Sequence, residues 1–195
     1  RRVLFRSDQK RADDLVKRNF NADHPDQLWV SDFTYIQTHS GWVYTAFIID
    51  VFSRAIVGWK VSTRMNTDMV LDALEQALHD RGMPKNVIHH SDRGVQYLSI
   101  RYTNRLEAAN LRASVGTTGD SYDNALAETV NGLYKTEVIE YLKADWQGLA
   151  DVQLATLNWV DWFNKKRVHS ALGYVSPFEF EAMYYDKINP LGQVA

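Results

Sequence analysis

"QLWVSDFTYIQ", residues 27–37, is the stretch on which the reading of the whole chain turns. It is crowded with β-branched and aromatic residues, the composition of a strand. At its centre stands Asp32, with Val30 and Thr34 two positions away on either side. Alternate residues of a strand share a face, so this carboxylate lies on a partly apolar one. An acid there is costly unless it is paired, hydrated or bound to a metal.

Outward from that strand the punctuation is regular. "THSG" (38–41) is turn chemistry, and "WVYTAFIID" (42–50) is a continuous apolar run, which predicts a strand covered on both faces. Residues 54–62 form a third strand close enough for hairpin pairing. Asn66 or Thr67 caps a helix with Val70, Leu71, Leu74, Ala77 and Leu78 along one stripe, closed by Gly82 and Pro84. Residues 86–90 read as a fourth strand, 99–110 as a helix, 111–115 as a fifth strand and 116–121 as a loop. Helices follow over 122–139 and 149–166. Ser176-Pro177-Phe178-Glu179 has the form of a capping box opening a last short helix. Hairpin-linked strands followed by strand–helix alternation predict an α/β fold, a mixed five-stranded sheet flanked by helices.

Composition limits the function classes. The chain has 195 residues, 45% of them apolar and 12% aromatic, which is a globular balance. The absence of cysteine excludes disulfides and thiolate metal sites and suits a reducing, cytosolic setting. The longest apolar run, Trp42 to Phe52, is about half a bilayer span and contains Asp50, so no membrane helix is expected. "RRVLFRS" (1–7) reads as a non-native scar, similar to a translated sequencing adapter. The formal charge is −2, and without Arg1, Arg2 and Arg6 it falls to −5, an unusual balance for a nucleic-acid binder. The expected organisation is a linker or short helix over 8–22, a catalytic core over 23–145, and a helical extension of the same domain over 146–195.

Two further acids are candidates to meet Asp32. In "HHSDRGVQY" (89–97), Asp92 follows the fourth strand directly, before an Arg-Gly turn. In "GDSYDNALAETVNGLYKTE" (119–137), Asn124, Glu128, Asn131 and Lys135 recur at i, i+4, i+7 and i+11 as one polar stripe, while Ala125, Leu126, Val130 and Leu133 are apolar. Taken singly, each acid has an ordinary explanation: a hydrogen bond in the sheet, a turn, a solvated helix face. Taken together they are hard oxygen donors that suit Mg²⁺ or Mn²⁺ rather than Zn²⁺. Two such ions about 3.5–4 Å apart can activate an attacking oxygen and stabilise a leaving one in phosphodiester displacement.

The spacing sharpens this, with 59 residues between Asp32 and Asp92 and 35 between Asp92 and Glu128. "LWVSDFTYI", "HHSDRGVQY", "GDSYDNALAETVNGLYKTE" and the tail "NKKRVHSALGYVSPFEF", in that order over roughly residues 15–185, resemble the Asp-Asp-Glu (DDE) transposases of the IS-three insertion-sequence family. More broadly they resemble the retroviral-integrase core. The resemblance implies an RNase H-like fold in which the first and fourth strands lie side by side. It implies Asp32, Asp92 and Glu128 as the catalytic, metal-binding triad with two Mg²⁺ (or Mn²⁺) ions. It also implies cleavage and strand transfer of DNA, insertion-sequence ends and target DNA as partners, a homo-oligomer on DNA, and a bacterial cytoplasmic setting without a membrane. Lys135 corresponds to the basic residue near the cleaved phosphate, and Tyr122 and Asn124 to the DNA face. Ser121 departs from the family, which often has Cys there. The family's helix-turn-helix region, which reads element ends, has no signature in these residues. An RNase H-like nuclease without strand transfer, or an inactive DNA-binding remnant, are the alternatives.

Other features carry less. His89 and His90 are adjacent, so on a strand they point to opposite faces and cannot chelate one ion. Lys165, Lys166 and Arg167, with His169, form the densest basic cluster, which is either a solvated helix end suited to the helix dipole or a DNA contact. Asn131, on the Glu128 face, joins the candidate DNA contacts. Trp159, Trp162 and Phe163 are expected in the core.

Overall fold

The structure is a computed structural model that describes residues 13–17, 19–92, 94–116, 124–142 and 145–189. Five strands, β1 (Leu28–Thr38), β2 (Gly41–Asp50), β3 (Ile56–Ser62), β4 (Ile88–Ser91) and β5 (Arg112–Val115), form one sheet in the order β3-β2-β1-β4-β5. The first three are an antiparallel meander, as the short turns require. β4 joins β1 in parallel, and β5 joins β4 in parallel. The expected mixed five-stranded sheet with flanking helices is therefore the observed one.

Alternation within the strands splits the core in two. Val30 and Ile36 of β1, with Phe47 and Ile49 of β2, turn to one face. There they meet α3 (Ala125–Tyr134) and α4 (Leu149–Lys165) through Val130, Tyr134, Val152, Trp159 and Phe163. Trp29, Ala46 and Ile48 turn to the other face, under α1 (Thr67–Asp80) and α2 (Ile100–Ala108). This is why β2 reads as an uninterrupted apolar run: both of its faces are covered. Each fully buried aliphatic or aromatic side chain in these layers contributes about 1.5–3 kcal/mol.

The helices begin where the sequence says. Asn66 accepts a hydrogen bond from Met69 N at 3.2 Å to cap α1, and Ser99 accepts from Tyr102 N at 3.2 Å to cap α2. Ser176 and Glu179 close the capping box of α5 (Pro177–Ile188). The helix expected over 122–139 differs. The α-helix ends at Tyr134, and Lys135–Glu140 is a π-helical turn. Glu137 in that turn accepts hydrogen bonds from Trp159 Nε1 at 2.9 Å and from Arg167 Nη2 at 2.6 Å. These long-range partners coincide with the altered backbone register, which no local pattern announces. The tip of the β1–β2 hairpin is pinned from outside the sheet, with His39 N donating to Trp146 O and Ser40 N to Gln147 O. No helix among the described residues is long and apolar enough to cross a membrane.

Candidate active site

The register of the two parallel strands builds the site. The last β1–β4 rung pairs Ser31 with Ser91. Asp32 and Asp92 are each the next residue beyond that rung, so neighbouring strands deliver the two carboxylates to the same edge. Glu128 arrives from α3, and the start of α3 is tied to the same rung, because Asn124 Nδ2 donates to Ser31 O at 2.9 Å. Glu128 lies one turn further, its N–H bonded to Asn124 O. The rung is also braced from beneath. Ser31 Oγ and Tyr102 OH both lie within hydrogen-bond reach of His89 Nε2, at 3.2 and 3.0 Å, and complete burial holds this imidazole down to about 3. It is neutral at any working pH.

Asp32 is half-buried, whereas Asp92 and Glu128 are exposed. Desolvation pushes the Asp32 carboxyl up to about 6. The bond from Phe33 N–H to its Oδ1 at 2.8 Å opposes that rise, the charges of Asp92 and Glu128 add to it, and the Asn131 amide opposes it again. Asn131 Nδ2 donates to Asp32 Oδ2 at 2.9 Å. Asp92 has its own backbone partner, Gly94 N at 2.9 Å. The three acids thus share one electrostatic field, yet among the described residues no three acids or histidines stand close enough to grip an ion.

The stripe along α3 takes up two roles. Asn124 and Asn131 are buried and turned to β1, where their amides serve Ser31 and Asp32. Their amide oxygens, also buried, find no partner among the described residues. Each orphaned acceptor costs about 1–3 kcal/mol, and such costs concentrate at functional sites. Lys135 opens the π-turn, with Nζ 5.0 Å from the centre of the Tyr35 ring. Tyr122 lies outside the described residues. In the basic cluster, Arg167 is committed to Glu137 by a two-pronged ion pair and lies over Phe163, and Lys165 pairs with Asp161 on its own helix. Lys166 is exposed. His90 turns away from His89, reaching Ser114 Oγ at 2.9 Å. Sequence reasoning missed the part Asn131 takes in holding Asp32. The available signal was an amide three residues past Glu128 on the one polar stripe of a helix otherwise built to pack.

Integrase core domain models match residues 22–121 and 109–177. The chain is 57% identical over 177 residues to the transposase for insertion sequence element IS629 of Shigella sonnei, covering 91% of this chain and 59% of that protein. It is 38% identical over 172 residues to transposase InsF for insertion sequence IS3A of Escherichia coli K12, covering 87% of this chain and 59% of that protein. The chain thus spans about three fifths of the length of these curated relatives. Among solved structures, the HTLV-2 integrase catalytic core domain in complex with magnesium shares the fold, with a TM-score of 0.66 at 18% identity over 83% of this chain and 99% of that one. The family models and these relatives show that the chain belongs to the integrase core domain family, alongside the insertion-sequence transposases.

Proposed function

We propose that this chain is the catalytic core of an insertion-sequence transposase, which hydrolyses a phosphodiester at the element's ends and directs the freed 3′-OH at target DNA. The observation that carries the reading is the last rung of β1 and β4. It sets Asp32 beside Asp92, while the Asn124 amide docks the Glu128 helix on that same rung. The relatives' names, transposases of insertion sequences, support the same reaction class.

Asp32, Asp92 and Glu128 would hold the divalent ions. Three hard carboxylate donors fit Mg²⁺ or Mn²⁺, and the orphaned oxygens of Asn124 and Asn131 suit the waters that Mg²⁺ retains. When bound, a pair of ions would sharpen the attacking oxygen and stabilise the leaving one. The chain's own residues orient and restrain. Asn131 and Phe33 N–H fix both oxygens of Asp32, and the neutral His89 stiffens the rung beneath it. Asn124 sets where Glu128 stands. Lys135, among the described residues paired with no carboxylate, is available to a DNA phosphate. The partners are element ends and target DNA, with the chain acting as a homo-oligomer in the bacterial cytoplasm.

The direct test is joining of a labelled element end to target duplex in Mg²⁺. Mg²⁺-dependent joining, lost in Glu128→Gln, is the expected result. Nicking without joining would make the chain a nuclease, and neither reaction would make it a remnant. Lys135→Ala should weaken DNA binding and lower the salt slope by about one, with Mg²⁺ affinity little changed. Wild-type behaviour at every salt concentration would remove Lys135 from the DNA surface.

A further inference from the structure

We propose that Tyr35, Trp42 and Lys135 form a stacking site for one unpaired nucleotide of the DNA strand held at the acids. This deepens the transposase reading, on which it rests, by naming the state of the strand that the site accepts.

β1 pairs with β4 only through Ser31, so from Asp32 to Thr38 it has β2 on one side and, among the described residues, no strand of the sheet on the other. Along that edge, Tyr35 lies three residues beyond Asp32, roughly 10 Å along an extended strand and on its opposite face, so it is Lys135 that links its ring to the side of the acids. Its ring meets Trp42 edge-to-face at 5.3 Å. Trp42 stands opposite Gln37 in the register and so lies diagonal to Tyr35, close enough for aromatic contact. Despite the contact, Tyr35 stays 53% exposed and Trp42 49%. Two large rings left open beside a candidate active site do little for the core. Their support is firm, because backbone bonds from His39 and Ser40 to Trp146 and Gln147 pin the hairpin tip.

Lys135 joins the rings to the acids. It lies one turn beyond Asn131, whose amide holds Asp32, and its ammonium sits 5.0 Å from the Tyr35 ring centre. A cation over one face of an exposed ring complements a nucleotide, with the phosphate going to the ammonium and the base face to ring surface that the ammonium leaves free. An interior paired base already has both faces stacked, and a terminal pair, held in its partner's plane, has only its outer face free. The base received here is therefore unpaired, in an overhang or a frayed end beside the phosphate under attack.

The test uses the 195-residue chain, with Ca²⁺ replacing Mg²⁺ during binding. Duplexes carry 2-aminopurine either in a single-stranded overhang or within a blunt, fully paired end. Wild type should quench the overhang probe and bind that duplex roughly tenfold tighter than the blunt one. Tyr35→Leu and Trp42→Ala should each abolish the quench and the preference while leaving blunt-duplex affinity unchanged. Tyr35→Phe should retain both. Melting curves establish that the variants are folded. If Tyr35→Leu and Trp42→Ala both keep the wild-type preference, or weaken both duplexes equally, there is no stacking site. Loss of self-association with unchanged DNA binding would make the rings a protein interface and overturn the proposal. Mg²⁺-dependent cleavage by the wild type is read on the same duplexes. Its failure would strike the transposase reading, whereas cleavage indifferent to the rings would strike this inference alone.

Discussion

Asp32→Asn will abolish strand cleavage and raise the melting temperature of the same protein. Both effects follow from one half-buried carboxylate. Its folded value is raised from the ordinary 3.8 to about 6, chiefly by desolvation, so above that pH the fold carries an ionised group that it disfavours. The sign follows from linkage: with the folded value above the unfolded one, the group's contribution is most favourable below about 4 and is lost as pH rises through about 6. Two units correspond to about 3 kcal/mol at most. The amide also offers one oxygen where the carboxylate offered two, to Phe33 N–H and Asn131 Nδ2, so about 1–2 kcal/mol is expected. For a chain of this size that is a rise of about 2–8 °C at pH 7.5, shrinking towards zero near pH 4. Cleavage should fall roughly a thousandfold or more, because ion-borne charge stabilisation supplies several kcal/mol and each 1.36 kcal/mol is tenfold. Mg²⁺ should raise the wild-type Tm by binding linkage, and raise that of the variant less. Calorimetry across pH, beside a cleavage assay, reads all of this. Near-normal cleavage would remove Asp32 from the site, and a Tm that falls at pH 7.5 would show its carboxylate to be a net stabiliser.

Gly58→Ala will be the most damaging single-methyl change in the sheet. A Cβ at Gly58 of β3 would lie 2.3 Å from Ala73 O and 2.9 Å from Ala77 Cβ, both on α1. The first of these is backbone, so no rotamer change relieves it, and α1 must lift away from the sheet. Overpacking of this kind costs about 3 kcal/mol, the upper part of its usual range, or about 6–12 °C in Tm. Gly58→Val should fail to fold. Gly132 is the control. It lies in the interior of α3 with nothing near its missing Cβ, so Gly132→Ala should stabilise by up to about 1 kcal/mol through helix propensity. Urea unfolding compares the two. A Gly58→Ala midpoint within error of the wild type would show that α1 does not sit this close to β3.

How much of this was legible without coordinates depends on whether the cause was local. Turn residues, caps and hydrophobic period are properties of neighbours in the chain. They were enough to set out five strands, the capped starts of α1 and α5, and the doubly covered β2. The three acids were legible as a set because their order and spacing match a known family, although neither spacing nor composition says that they meet. Bringing Asp32 beside Asp92 depends on β4 lying parallel to β1 with Ser31 opposite Ser91, a register set by long-range packing of both sheet faces. The same dependence governed the polar residues. Asn131 has one side chain and several partners within reach, and the fold turned it to Asp32. Arg167 reads as part of a basic patch, yet thirty residues upstream Glu137 offered a planar, two-pronged partner next to the Phe163 ring. The sequence by itself determined which elements form and which chemistry the chain can carry. Only the tertiary structure decided which polar groups face the acids and which are consumed by other residues. A hydrogen bond between distant residues depends on where packing brings their backbones, and no local pattern encodes that.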